Sequence, residues 1–548
     1  MSWHICQGIY LHPLQRLPFV RRPIQARRGP GLHRSPGSGY VHASLMSQIL
    51  ESQPEGATRR RFLGNTLRTL ALTPLAGALP AAAQTPAHPA TPGESKEILI
   101  LGAGMSGLTA ALALLRAGHK VKVIEYQPRV GGRLLSVPLK GGQFTEAGGG
   151  HFRSNMPYVL SYIRHFGLPL LCMNDGLPRY LYDGKSAESA KLADWPWDLK
   201  PEERNVTVSS LLNHYLFVNG LDTDTVLAAG WPDQATRRRL DSLTVADLIR
   251  KAGGSEAFLK VLDAHGGTFT SSSPALGAIP DLAYHFGDQN LFRIRGGNDR
   301  LPQAMANVLG RRVVLDAPVT SIDQSGPKAV VTVKDGRQFL GDQIISTIPF
   351  TVLQDVKVTP DWSSRKKSMF EQMEWDKTVK VIVQTKSPAW LSQGVRGWPM
   401  AGSDHAWERV VDITGNEPGG YGNVFFYLNG ANAERLLARP KETRAQEVVE
   451  QFMKDMPDLF DEVVTVQDFA WSEQPWIRAS FGGPPLGGAW MIDEWTKPEG
   501  RIHFAGDFTT LKSGWVEGAI ESGLRAARQI DPAAKPEAEP GLRQEITA

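Results

Sequence analysis

Cysteine is scarce in this sequence, and its N-terminal stretch lacks a run that could span a membrane. The chain has two cysteines, Cys6 and Cys172, and we expect the first to be removed with a leader. A disulfide framework and a cysteine metal site are therefore excluded. The apolar part of the leader contains Arg68 and Pro74, so it is too short and too polar to cross a bilayer. We find no metal-ligand spacing of Asp, Glu and His, no serine-triad motif and no internal repeat.

An excess of charge of one sign is also missing. The net charge of +4 arises from 60 Lys and Arg against 56 Asp and Glu, and the Arg-rich residues 1–95 distort even that value. The remainder is near neutral or slightly acidic, which implies no nucleic-acid partner. The chain is long enough for two domains after removal of a leader.

The leader resembles a twin-arginine export signal. Arg59 and Arg60 precede a moderately apolar stretch that ends in an A-x-A site, with cleavage expected after Ala83. This resemblance implies export of the folded protein by the twin-arginine translocation machinery, to the periplasm or the medium. A basic amphipathic helix and a membrane anchor are the alternatives, and Met46 is an alternative start. The predicted boundaries are a disordered extension 1–57, a signal peptide 58–83 and a linker 84–95.

Three glycines follow a short apolar strand predicted at residues 98–101. Gly102, Gly104 and Gly107 form G-x-G-x-x-G at the point where the strand should turn into a helix. The first allows a tight turn, the second lets a pyrophosphate approach the backbone, and the third permits close packing of helix and strand. The sequence therefore predicts a dinucleotide-binding turn.

The continuation of this segment supports the same interpretation. A helix is predicted at residues 106–117, with its N-terminus towards the phosphates, and a second strand at 121–124. Glu125 follows that strand, at the distance where an acid accepts hydrogen bonds from a ribose. The motif alone does not choose between NAD and FAD.

The next residues distinguish the two cofactors. Arg129, Gly131, Gly132 and Arg133 resemble the R-x-G-G-R motif of flavoproteins with two dinucleotide-binding domains, chiefly the flavin amine oxidase family. In that family the second arginine lies near the pyrophosphate, which a guanidinium suits. The alternative for Arg133 is a solvated loop arginine.

Further motifs extend the resemblance over residues 96–531, and the monoamine oxidase and L-amino-acid oxidase types are the most similar in character. Residues 146–150 resemble the segment that passes beside the flavin, and residues 501–507 and 514–523 resemble the C-terminal flavin motif. The FAD-binding residues that the resemblance implies are Gly102, Ala103, Gly104, Met105, Ser106, Gly107, Glu125, Gly132, Arg133, Gly149, Gly150, Val319, Gly506, Asp507, Trp515 and Val516.

The implied fold class is α/β, with an FAD-binding two-dinucleotide-binding-domain (Rossmann-like) fold and a mixed α+β substrate domain. The FAD-binding part is expected to be built from three separate segments of the chain, and the substrate domain from the two segments between them. The predicted segments are FAD-binding 96–155, helical substrate domain 156–284, FAD-binding 285–350, substrate-domain sheet 351–495, FAD-binding 496–531 and a disordered tail 532–548.

Three residues are expected to be catalytic. Lys380 matches the family's lysine that holds a water against flavin N5, and its place between valines means that it must be paired or functional. The alternative is a solvated lysine at a sheet edge. Trp515 and Phe481 match the two aromatic rings that flank the substrate amine. Ser480 stands where covalently flavinylated relatives have cysteine, so FAD is expected to be non-covalent.

Two more residues are expected to bind substrate. L-amino-acid oxidases have an arginine that grips the substrate carboxylate in the loop that contains His151 and Arg153, although the spacing here differs by about one residue. Arg153 is that clamp or a surface arginine. His151 shapes the cavity, acts as a base or lines the loop. No metal ligand is expected.

The resemblance implies FAD-dependent oxidative deamination of a primary amine or an L-amino acid. A hydride passes to flavin N5, O2 reoxidises the flavin to give H2O2, and the imine hydrolyses to an aldehyde or keto acid plus ammonia. The partners are this substrate and O2, and a homodimer is compatible with the sequence. The alternatives are an oxidoreductase of the desaturase or protoporphyrinogen oxidase type and a non-catalytic FAD-binding protein.

Overall fold

A computed structural model describes the chain from residue 94 to residue 540 with short gaps. The described residues all belong to one structural unit, residues 87–548. The predicted extension 1–57, export signal 58–83, residues 84–93 of the predicted linker and residues 541–548 of the predicted tail lie outside them. Residues 532–540 of that tail are described and packed: Ala534 is 1% exposed, and the N–H of Glu537 donates to the Tyr162 hydroxyl. The described ranges are 94–173, 179–188, 195–218, 220–265, 268–287, 290–392, 399–400, 405–414 and 419–540.

The predicted β–α–β unit is present. Strands Glu97–Leu101 and Lys120–Ile124 pair in parallel, and helix Met105–Arg116 connects them. Residues 98–101 are at most 3% exposed, as expected for a continuous apolar run in a parallel sheet that is covered on both faces.

The parallel sheet combines strands from three separate parts of the chain. Because neighbouring strands run in the same direction, their carboxyl ends share one edge, where ligands of such sheets bind. In spatial order the strands are Val313–Val314, Lys120–Ile124, Glu97–Leu101, Gln343–Ser346 and Ile502–Phe504.

Helix Met105–Arg116 packs tightly against the C-terminal helix Val516–Ile530. A Cβ atom on Gly523 would lie 2.3 Å from the carbonyl oxygen of Ser106, so only glycine fits this contact. The hydroxyls of Ser106 and Ser522 are 2.6 Å apart. The start of helix Met105–Arg116 therefore packs against the middle of helix Val516–Ile530.

An antiparallel sheet forms the centre of the predicted substrate domain. Its strand Thr378–Thr385 is buried throughout and pairs with Gly422–Asn429 on one side and Val463–Ala470 on the other. Lys380 stands opposite Tyr427 in this register. Strand Val410–Asp412 extends the sheet beyond Gly422–Asn429.

The other described strands form smaller sheets. The predicted hairpin at Asp335-Gly336 is present, and Gly336 has a φ of +86°, which glycine tolerates. The remaining sheets, in spatial order, are Gln338–Gly341, Ala329–Val333, Val319–Asp323 and Lys357–Thr359; Phe152–Arg153, Leu291–Ile294 and Leu170–Met173; Pro399–Met400, Arg179–Tyr182 and Lys185–Glu188; Ser136–Pro138 with Phe144–Glu146; and Glu374–Trp375 with Gly482–Gly483.

The segment 156–284 is less purely helical than the sequence predicts. Its helices are accompanied by the strands Leu170–Met173, Arg179–Tyr182 and Lys185–Glu188. Within the described ranges, no helix is long and apolar enough to cross a membrane. The other described α-helices are Pro157–His165, Val208–Tyr215, Thr223–Leu227, Gln234–Leu240, Val245–Lys251, Glu256–His265, Ala275–Gly287, Arg300–Leu309, Phe350–Leu353, Ser364–Gln372, Ala389–Ser392, Gly430–Leu437, Arg444–Asp455 and Met491–Glu494.

Candidate active site

The three glycines of the motif differ in how much space the protein leaves for a side chain at each position. A Cβ atom on Gly102 would lie 2.3 Å from Thr347 Oγ1, and one on Gly107 would lie 2.1 Å from the carbonyl oxygen of Gly102. At Gly104 the nearest atom would be the Cα of Gly132, at 3.9 Å. Packing therefore explains Gly102 and Gly107, while at Gly104 a Cβ atom would meet the protein only at van der Waals distance, so the protein's own packing does not require glycine there.

The start of the first helix suits an anion. Gly104 is the N-cap of helix Met105–Arg116, and no side chain caps its N–H groups. Ala103, Met105 and Ser106 are buried around this turn. Unpaired N–H groups and the positive end of a helix dipole attract phosphate, so the predicted pyrophosphate position fits this structure.

Glu125 lies next to the same turn. Its carboxylate accepts hydrogen bonds from the N–H groups of Ala103 (2.6 Å) and Gln127 (2.9 Å). Burial raises the pKa of this carboxyl group. The backbone of Glu125 also bonds to Ala317, which brings the half-buried Val319 into the neighbourhood. Glu125 is thus fixed beside the glycine turn, where the ribose is expected, and Val319 follows two residues after its backbone partner Ala317.

Arg133 links two of the predicted flavin motifs. Its guanidinium donates to the carbonyl oxygen of Ser480 at 2.5 Å and forms an ion pair with Asp507. Asp507 in turn accepts a hydrogen bond from the N–H of Gly514 at 2.7 Å, and Gly506 before it has a φ of +133°. Arg133 is therefore not a solvated loop arginine.

The glycine segment 148–150 packs against residues 133–134. A Cβ atom on Gly148 would lie 1.7 Å from the carbonyl oxygen of Arg133, and one on Gly149 would lie 3.8 Å from the Val516 side chain. On Gly150 the nearest atom would be Lys380 Nζ, at 3.5 Å. These small residues bring the C-terminal helix and Lys380 to the same place.

Lys380 is paired with backbone carbonyls of this glycine segment. Its Nζ atom donates to the carbonyl oxygens of Glu146 (2.9 Å) and Gly148 (2.6 Å), and lies 4.6 Å from the ring centroid of Phe425. The residue is only 6% exposed. Burial lowers its pKa to about 8, although the Glu146 carboxylate opposes the shift. A solvated sheet-edge lysine is thereby excluded.

A buried polar network fixes the segment that holds Lys380. The Glu146 carboxylate accepts hydrogen bonds from Ser136 Oγ and the N–H of Asn298, each at 2.8 Å, and burial raises its pKa to about 7. The Asn298 amide also donates to the carbonyl oxygen of Gly149 at 2.9 Å. Sequence reasoning missed Asn298, whose only signal was its place in a glycine-rich loop.

Of the two predicted aromatic residues, Phe481 lies beside Gly514, the residue that precedes Trp515. Phe481 and Trp515 are 7% and 8% exposed, and a Cβ atom on Gly514 would lie 3.6 Å from Phe481. Trp515 Nε1 donates to Asp281 Oδ1 at 2.8 Å. The rings of His151 and Trp515 are in edge contact, with centroids 5.5 Å apart. The structure therefore places Phe481, Trp515 and His151 in one site.

Arg153 is buried, which excludes the surface alternative. It is 3% exposed because strand Phe152–Arg153 pairs with Leu291–Ile294 in the interior. The pKa of His151 lies well below its ordinary value, first through burial and then through the electrostatic effect of neighbouring basic side chains, with Arg153 the largest. Among the residues that the structure describes, His151 Nε2 is buried with no hydrogen-bond partner.

Three further residues near this site belong to no recognisable sequence motif. Burial, then Arg409, lowers the pKa of His265 to about 3, so Arg409 and Arg153 influence the same two imidazoles. The Arg409 guanidinium lies 5.1 Å from the ring centroid of Tyr427. Sequence reasoning missed His265, Arg409 and Tyr427.

The fold and site are those of a dinucleotide-binding flavoprotein. Lys380, Phe481 and Trp515 lie where its FAD-binding part and its substrate domain come together. The sequence profile of the family described as "Flavin containing amine oxidoreductase" matches residues 105–531. The chain belongs to this family. It is an FAD-dependent amine oxidase, in a family that acts on small-molecule amines or amino acids.

The individual relatives have low sequence identity to this chain, but the matches extend over most of each relative's length. The chain is 26% identical to the flavin-dependent L-tryptophan oxidase RebO of Lentzea aerocolonigenes, over 80% of this chain and 98% of the relative. It is 24% identical to human amine oxidase [flavin-containing] B, over 79% and 86%.

Solved structures share the fold. A putrescine oxidase bound to putrescine superposes with a TM-score of 0.67 at 22% identity, over 80% of this chain and 99% of the other. The cyclohexylamine oxidase of Brevibacterium oxydans IH-35A gives a TM-score of 0.62 at 19% identity, over 83% and 100%. At these identities the likeness shows the α/β FAD-binding fold alone.

Proposed function

We propose that this enzyme oxidises L-α-amino acids in preference to simple amines. The observation that carries the proposal is the set of buried cationic side chains near His151: Arg153 and Lys380 are 3% and 6% exposed, and Arg153, Lys380 and Arg409 all act on the His151 imidazole. Such a site favours a substrate that carries a carboxylate and disfavours one whose only charged group is an ammonium. The name of the tryptophan oxidase relative agrees with this choice.

The overall reaction follows from the family chemistry. When bound, FAD supplies the two-electron oxidation of the bond between the α-carbon and the amine nitrogen. The amino acid, O2 and water then give a 2-oxo acid, ammonium and H2O2, with the imine hydrolysed by the water.

The chain's own residues bind and orient the reactants. Arg153 holds the carboxylate, and a buried guanidinium can do so through two parallel hydrogen bonds. Trp515 and Phe481 flank the amine-bearing carbon. Lys380 holds a water at the glycine segment. Because burial and the neighbouring cations lower the pKa of His151, its imidazole is a weak proton acceptor, which favours a role in shaping the cavity over one as a base.

The test compares amino acids with their own decarboxylated amines. H2O2 is measured with L-phenylalanine against phenethylamine, and with L-tryptophan against tryptamine, at matched concentrations. We expect the amino acid to have the higher kcat/KM in each pair. Equal or reversed preference would contradict the proposal and favour an amine oxidase.

We further propose that the enzyme is exported by the twin-arginine route to the periplasm or the medium. The support is Arg59-Arg60 ahead of an apolar stretch and Ala81-Ala82-Ala83. Because this route carries folded proteins, the enzyme would acquire FAD before export.

A further inference from the structure

Helix Ala275–Gly287 presents three neighbouring side chains to Trp515. Asp281 Oδ1 accepts the hydrogen bond of the indole N–H at 2.8 Å. The ring centroids of Tyr284 and His285 lie 4.9 and 5.3 Å from that of Trp515. Positions three and four apart share one face of a helix, so a single helix face covers the indole.

The carboxylate of Asp281 also lies near the ring of His285, one helical turn further on. Asp281 Oδ2 is 3.1 Å from His285 Nδ1, and this nitrogen also lies 3.0 Å from the backbone carbonyl oxygen of Asp281. Asp281 is 5% exposed, so its carboxylate is directed to the interior of the protein. The indole N–H is a donor only, and a carboxylate oxygen in this position supplies the acceptor that it needs.

Trp515 needs such a partner because its backbone fixes only part of its orientation. It is the N-cap of helix Val516–Ile530, with a φ of −105°, which sets the Cα–Cβ direction. Rotation about the two side-chain torsions is then limited by ring contacts, and the indole N–H adds the one directional bond. A phenylalanine or leucine in place of Asp281 would leave this buried donor unpaired, which is costly.

We propose that Asp281 is a positioning residue that fixes the indole plane of Trp515. This inference rests on the proposed function in so far as Trp515 flanks the substrate. The geometry of Asp281, His285 and Trp515 stands without it. The consequence is that Asp281 influences turnover through Trp515 and not through contact with the carboxylate of the substrate.

The test uses the FAD-bound enzyme labelled with 5-fluorotryptophan. The fluorine resonance of Trp515 is assigned by its loss in Trp515→Phe. We expect that resonance to shift or broaden in Asp281→Asn and more so in Asp281→Ala. The matched control is Glu203→Gln, which alters a carboxylate that is 0% exposed and bonds Ser255; it should leave the resonance in place.

Kinetics provide the second measurement. Asp281→Asn should lower kcat/KM on the order of tenfold, and equally for an amino acid and its matched amine. In a Trp515→Phe background, which has no indole N–H, the same change should have almost no further effect. An unmoved fluorine resonance, or additive losses in the double variant, would overturn the inference. If no amino acid is oxidised at all, the proposed function fails, and the fluorine measurement alone decides the role of Asp281.

Discussion

Replacing Lys380 by methionine removes a buried ammonium and keeps a side chain of similar length. In the structure this ammonium donates to two carbonyl oxygens, those of Glu146 and Gly148. Each buried acceptor left unsatisfied costs about 1–3 kcal/mol. Methionine avoids the cost of burying a charge, which offsets part of that loss. We therefore expect Lys380→Met to fold and to retain FAD.

The effect on the reaction should be much larger. Losing a preorganised donor at a reacting centre typically slows the chemical step on the order of a hundredfold. Stopped-flow absorbance would follow flavin reduction under anaerobic conditions and reoxidation by O2, with an amino acid and with an amine. Both substrates should be affected, because the role proposed for Lys380 is at the flavin and not in substrate recognition.

A matched control is available at the end of the same strand. Lys386 has a side chain that is 68% exposed and pairs with Glu462, so Lys386→Met should behave as the wild type. If Lys380→Met has unchanged rates of both reduction and reoxidation, the lysine has no part in the mechanism.

The pKa of Lys380 also predicts a pH dependence of stability. Folding lowers this pKa from 10.5 to about 8, so between these pH values the unfolded chain binds a proton that the folded protein has released. The free energy of unfolding must then rise with pH in that window. Relative to Lys380→Met, the wild type should gain stability from pH 8 to 10.5 in denaturant titrations. A constant difference would contradict the assigned burial.

Two further predictions concern the cofactor and the leader. Since Ser480 replaces the cysteine of covalently flavinylated relatives, acid precipitation should release all the yellow colour into the supernatant; flavin retained on the pellet would refute non-covalent binding. Replacing Arg59 and Arg60 by lysine should leave the precursor in the cytoplasm, because the export receptor recognises the paired guanidinium groups; normal activity in the periplasmic fraction would refute the proposed route.

Local patterns predicted the parts of the fold that local physics determines. The β–α–β unit follows from an apolar run, three glycines and an acid within 28 residues of chain, 98–125, and the structure contains it almost as predicted. Short strands such as Leu170–Met173 were missed because their stability comes from pairing with Leu291–Ile294, more than a hundred positions away.

The site likewise contains residues with a local sequence signal and residues that only tertiary packing brings into place. Lys380 and Trp515 could be predicted because each lies in a segment with a family pattern. Arg153 could not be decided between clamp and surface, since its burial depends on a strand partner remote in sequence. Asp281 and Arg409 carry no local signal at all. They reach the site through a helix and a sheet edge whose placement only tertiary packing determines.

The central claim is that this enzyme recognises a carboxylate through Arg153, and one comparison tests it most directly. The measurement is kcat/KM of wild type and Arg153→Ala for an L-amino acid and for its decarboxylated amine, with the exposed Arg238→Ala as the control. We predict a loss of about 2–4 kcal/mol in transition-state stabilisation for the amino acid and almost none for the amine. Equal losses for both substrates would mean that Arg153 is structural and that the enzyme acts on simple amines.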